Sequence, residues 1–145
     1  MTFEQGIWKY DRRKSVRELQ ITVGKTKANA QMLDETAPKT CDAIWNHLPL
    51  AGDMHYAKIA NTHEVFFMVP FVLAHEGAIA VSGLEPGSII YWPKRQFIAI
   101  FFGPTEEVEE ATLFAKIKKG LSPLSKECLK VMRKQGATIT LRRAR

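Results

Sequence analysis

Leu19, Ile21 and Val23 alternate with Gln20 and Thr22, the period of two shown by a half-buried strand. Gly24-Lys25 supplies a hairpin turn, and Ala28, Ala30 and Met32 carry the returning strand with small residues on its inner face. The period then changes. Cys41, Ile44, Trp45 and Leu48 fall at i, i+3, i+4 and i+7, one apolar stripe of a helix that Asp34 or Thr36 can cap. Pro38 is tolerated in the first turn and Pro49 ends the helix, leaving a loop through Ala51-Gly52-Asp53. The middle of the chain is strand-rich: His63 to Phe71, Gly77 to Val81, Gly87 to Trp92, Gln96 to Phe102 and Ala111 to Ile117, punctuated by Gly83, Pro86-Gly87, Pro93 and Gly103-Pro104. The stretch 85–103 reads as strand, tight turn, strand, with Tyr91 and Trp92 at the turn ahead of Pro93 and beside the basic pair Lys94 and Arg95.

A second helix runs over 121–136, with Ser122 as cap, Pro123 in the first turn and Gly136 at its close. Its buried stripe is Leu121, Leu124, Cys128 and Val131 or Met132. A last strand, Ala137 to Arg142, turns Ile139 and Leu141 inward. Many short antiparallel strands need closure to avoid exposed edges, and two amphipathic helices suffice to cap the ends. The expected fold is therefore mainly β: a closed barrel of about eight strands with two capping α-helices over 16–145, preceded by a basic N-terminal arm, 1–15.

At 145 residues the chain is long enough to bury one core, and 46% hydrophobic with 25% charged residues describes a folded domain. The apolar run Phe66 to Ala74 is broken by Pro70 and falls far short of the ~20 residues of a membrane helix. The first residues show no basic stretch leading into an apolar one, so a cytoplasmic location is expected. Cys41 and Cys128 fall on the apolar helix faces and are expected as reduced core residues. The net charge of +6 is concentrated at the ends. Lys9, Arg12, Arg13, Lys14 and Arg17 outweigh Glu4, Asp11 and Glu18, and Arg142, Arg143 and Arg145 close the chain. Aromatics do not interleave with these charges as in a single-strand groove, so nucleic acid is not the expected partner. The run Glu106 to Glu110 is expected as a solvated acidic loop or helical turn. The four histidines lack metal-ligand spacing, so neither metal nor cofactor is expected.

The order of elements resembles that of the cyclophilins. Ala37-Pro38-Lys39-Thr40 ahead of the Ile44/Trp45 helix is similar to the first-helix segment of that family. Phe114 to Leu121, the following helix and Ala137 to Leu141 are similar to its closing strand, helix and strand. Gly87 to Pro93 and Phe101-Phe102-Gly103 resemble instead small bacterial and archaeal cyclophilin-like proteins of uncharacterised function. In the prolyl isomerases, the resemblance implies an arginine after the first helix, near a Phe-Met pair and a glutamine. Here Phe67-Met68 match the pair, Pro70 stands where the glutamine should, and no arginine lies between Arg17 and Arg95. The nearest cation is Lys58. A lysine ammonium is a mobile point charge and does not reproduce the planar donor fork of a guanidinium.

The strand over 63–71 puts Glu64, Phe66, Met68 and Pro70 on one face and Val65, Phe67 and Val69 on the other. A groove on the outer wall would use Phe66 or Met68 and be flanked by Tyr91 and Trp92. Lys58 and Arg95 would attract an anionic group, with His75 or Glu76 as polar partner. The expectation is a small carboxylate-bearing ligand bound or transformed there without prolyl isomerase activity. The alternatives are an atypical prolyl isomerase and a non-catalytic module that forms a homo-oligomer through its arm. Whether the chain is an enzyme stays open at this point.

Overall fold

The computed structural model describes residues 16–56, 62–134 and 136–144. The arm over 1–15 and Lys58 lie outside them. Among the described residues ten strands and two α-helices follow in order: β1 (Glu18–Val23), β2 (Thr26–Met32), α1 (Pro38–His47), β3 (Leu50–Asp53), β4 (His55–Tyr56), β5 (Glu64–Met68), β6 (Ile79–Ala80), β7 (Ser88–Trp92), β8 (Phe97–Phe101), β9 (Glu110–Lys119), α2 (Leu121–Arg133) and β10 (Thr138–Arg143). Nine strands form one antiparallel path, β3-β10-β1-β2-β9-β7-β8-β5-β4, and β6 adds to β9 off that path. The sheet curls into a nearly closed barrel. At the seam Gly52 of β3 meets Phe67 of β5, where a Cβ would stand 3.0 Å from the phenyl ring. Among the described residues no helix is long and apolar enough to cross a membrane.

Alternating positions fill the interior as their periodicity requires. Leu19, Ile21 and Val23 pack with Ala28, Ala30 and Met32, with Val65, Phe67 and Val69, and with Ile89, Tyr91, Ile98 and Ile100. Each fully buried aliphatic or phenyl side chain contributes roughly 1.5–3 kcal/mol. The helices close the barrel with Cys41 and Ile44 from α1 and Leu124, Cys128 and Val131 from α2. Both cysteines are free and buried, and burial pushes each thiol up to about 12. They are inert packing residues at neutral pH.

Three local expectations are corrected. Leu50–Asp53 is a strand, not a loop: small Ala51 and Gly52 hide the alternation, and β3 is held by its ladder to Thr138–Leu141 of β10. Ser122 does not cap α2; the helix begins at Leu121 behind Gly120, whose φ of 85° is left-handed and whose absent Cβ would lie 2.7 Å from the Lys27 carbonyl. The segment 104–109 is neither helical nor wholly solvated, since Glu107 is buried.

Candidate functional site

The outer face of the barrel is covered beside β7 and β8. Val81, Ile90, Trp92, Phe97, Ala99, Phe101 and Ala111 form a second buried cluster there, separate from the interior. One flank of this cover is the turn Val81–Gly83, tied down by the Val81 N–H donating to the Glu109 carbonyl at 2.9 Å. The other is the segment 103–109. Its start is stitched to β5 by the His63 N–H donating to the Pro104 carbonyl at 3.1 Å and by the hydroxyls of Thr62 and Thr105 at 3.3 Å. Gly103 permits this approach, because a Cβ there would meet the His63 ring at 2.8 Å.

Beneath the cover lie two carboxyl groups. Glu64 stands on the outward row of β5 yet is 1% exposed, and Glu107 of the covering segment is 9% exposed. The Trp92 indole N–H donates to Glu64 Oε2 at 3.1 Å. Burial, first, and then the neighbouring Glu107 carboxyl push Glu64 up to about 8, against the opposing pull of the indole N–H and Arg95. Arg95 caps this arrangement. Its guanidinium lies 5.0 Å from the Trp92 ring centroid, 3.7 Å from Glu107 Oε2 and 2.8 Å from Glu109 Oε2.

Next to Trp92 opens a pocket of about 600 Å³, lined by His75, Ala78, Trp92, Pro93, Lys94, Val108, Glu109 and Glu110. Pro93, Ala78 and the exposed Val108 supply apolar area with the buried Trp92 behind them, while Lys94, His75 and the two glutamates supply polar groups of both signs. Such a mixture suits a small polar molecule with a flat or apolar body. Among the described residues no group of three or more His, Cys, Asp or Glu is arranged to hold a metal ion.

Of the residues expected to form the site, the structure brings together His75, Trp92 and, at the rim through Glu109, Arg95. Tyr91 turns inward instead. Its hydroxyl accepts from the Leu73 N–H at 2.9 Å and donates to the Phe71 carbonyl at 3.1 Å, pinning the 71–73 segment to the barrel. Phe66 is on the outer wall, stacked on Phe97 at 4.2 Å, and Met68 is 53% exposed; neither lines the pocket. Glu76 is committed to α1. Its carboxylate accepts the backbone N–H of Lys39 at 3.0 Å, and the N–H and hydroxyl of Thr40 at 2.7 and 2.8 Å. It thus caps from a distance a helix whose own N-cap, Ala37, makes no side-chain bond.

Desolvation works against the Glu76 carboxylate, but these hydrogen bonds and the Lys39 charge outweigh it and hold the group below its ordinary value. A lowered carboxyl stabilises the fold at neutral pH and ceases to do so as pH falls through the folded value. Glu76→Ala is expected to cost about 1 kcal/mol at neutral pH, with the difference from wild type shrinking on acidification, as read from urea unfolding. Glu64 and Glu107 were not among the expected site residues. A lone carboxylate on the apolar row Glu64, Phe66, Met68 was the available signal for the first; inside the run 106–110 nothing distinguished Glu107.

The comparisons with known proteins agree with this architecture. The family model described as cyclophilin-like matches residues 17–141. Among solved structures, McbB in complex with tryptophan superposes with a TM-score of 0.75 at 16% identity, over 86% of this chain and 44% of McbB. The chain thus spans less than half the length of McbB. The hypothetical protein AF2241 from Archaeoglobus fulgidus superposes with a TM-score of 0.66 at 20% identity, over 99% of this chain and 100% of that one. No curated protein matches the sequence.

Proposed function

Since this chain belongs to the cyclophilin-like family, we propose that it binds a small carboxylate-bearing metabolite in the outer pocket beside Trp92, and that it does not isomerise prolyl bonds. The observation that carries this reading is one open cavity of about 600 Å³ beside the buried Trp92, with Lys94, Pro93 and Val108 around it. Lys94 offers an ammonium to a carboxylate, and Pro93 and the exposed Val108 offer apolar surface to the rest of the ligand. The structure of McbB with tryptophan supports small-molecule binding by a protein sharing this fold and places amino acids within the panel to be tested. Arg95 does not present the free donor fork that prolyl isomerisation requires, because its guanidinium is matched by Glu107 and Glu109 and laid on Trp92.

A thermal-shift panel of small carboxylates, including keto acids, indole-3-propionate and L-tryptophan, tests the reading. A ligand at about 100 times its dissociation constant adds about 2.7 kcal/mol of stability. Lys94→Ala is expected to weaken such a ligand roughly three- to tenfold without altering the unliganded protein, consistent with loss of one exposed charged contact. No shift across the panel would remove the proposal. In a proline-peptide assay the protein is expected to match the uncatalysed rate; turnover above it would favour the atypical isomerase.

A further inference from the structure

We propose that Glu64 and Glu107 share one proton that latches the 104–109 segment onto the barrel, and that ionisation of the pair releases the segment and dismantles the pocket. Two carboxylates cannot hydrogen-bond to each other without a proton between them. Both carboxyl groups are buried under one cover at Trp92: Arg95, laid on the indole that bonds Glu64, stands 3.7 Å from Glu107 Oε2. Glu107 Oε1 is buried and meets no protein donor, while Glu64 Oε2 already accepts the Trp92 N–H. A proton held between the pair satisfies Oε1 and leaves one negative charge facing Arg95. This is the shared-proton arrangement that close, desolvated carboxyl pairs adopt.

The surroundings do not neutralise a second charge. From β7 the pair faces Trp92, and from β8 it faces Phe101, the cross-strand partner of Glu64. From the turn after β7 it faces Arg95, which already serves Glu109. Neighbouring His63 directs its Nδ1 to the Pro104 carbonyl at 2.9 Å. With Glu64 ionised, two buried carboxylates and Glu109 share one guanidinium. The least costly relief is for Glu107 to swing into water. It lies in the chain next to Val108 and Glu109, which form one wall of the pocket. Release of Glu107 therefore carries that wall away. The latch regulates the site whose ligand was proposed above, but its opening needs no ligand to be observed.

Hydrogen–deuterium exchange on the full chain, from about pH 6 to about pH 9.5 and corrected for the intrinsic rate, measures the opening directly. Protection of the His63 and Val81 amides, which donate to the Pro104 and Glu109 carbonyls of the segment, is expected to fall about tenfold per pH unit above the titration of the pair. Glu64→Gln supplies a permanent neutral donor to Glu107 and is expected to hold that protection constant. Glu107→Gln, which removes the second charge from the other side, is expected to do the same and stands in if Glu64→Gln does not fold. Protection that is flat with pH in the wild type, or that falls equally in the folded variants, would overturn the latch. Titration of indole-3-propionate over the same range separates the two proposals. Opening without binding at any pH leaves the latch and removes the ligand reading. Binding of unchanged affinity with no opening does the reverse.

Discussion

Trp92→Ala is expected to destabilise the protein by about 3–5 kcal/mol, the range for truncating a large buried aromatic. The indole is 1% exposed and makes an edge contact with Phe97 at 6.2 Å. Its loss would open a cavity in the outer cluster, strip Glu64 Oε2 of its donor and leave Arg95 without the ring beneath it. Trp92→Phe separates these effects. It keeps most of the apolar area but removes the N–H, at a cost of about 1–3 kcal/mol for the abandoned carboxyl oxygen. Because that N–H favours the ionised form of Glu64, its removal raises the proton affinity of the pair, and the alkaline transition is expected to move to higher pH. Urea unfolding of both variants at several pH values checks magnitude and direction together.

The second large effect is a loss of wild-type stability with rising pH. Glu64 is raised from an ordinary value of 4.5 to about 8. A raised group contributes stability that is complete below its unfolded value and is lost as pH climbs through the folded one. The slope between these limits approaches 1.4 kcal/mol per pH unit for one proton. A loss on the order of 2–4 kcal/mol is therefore expected between about pH 5 and about pH 8.5. Glu64→Gln carries no ionisable group at this position, and its stability is expected to be nearly level over the same interval. Equal slopes for the two proteins would show that Glu64 is not the group responsible. The Glu76 cap acts in the opposite sense, on the acid side, so the two variants are distinguishable by sign alone.

Much of the barrel was legible because its strands alternate. Leu19, Ile21, Val23 and their partners on β2 face inward as their period predicts, and the stripes of both helices pack where their spacing puts them. Strand β3 was not legible, since Ala51 and Gly52 carry no side-chain pattern and owe their conformation to backbone pairing with β10. Of the adjacent pair Tyr91 and Trp92, period two says that one must point in and one out; it does not say that the outward side is itself covered. That cover comes from the segment 103–109 and the turn at Val81, which join residues distant in sequence. For the same reason Glu107 was indistinguishable from its acidic neighbours, and Glu76, 36 residues from Thr40, gave no sign of being a helix cap.

A titration followed through the indole N–H resonances tests the ligand site most directly. Trp92 lines the pocket, whereas Trp45 lies on α1 against Arg17 and Arg143 at 5.4 and 4.8 Å and does not. With indole-3-propionate or L-tryptophan added to the full chain near neutral pH, the Trp92 signal, assigned through Trp92→Phe, is expected to shift saturably while that of Trp45 stays in place. A Trp92 resonance unmoved by every carboxylate in the panel, or a shift confined to Trp45, would contradict the outer pocket as the place where this protein meets its ligand.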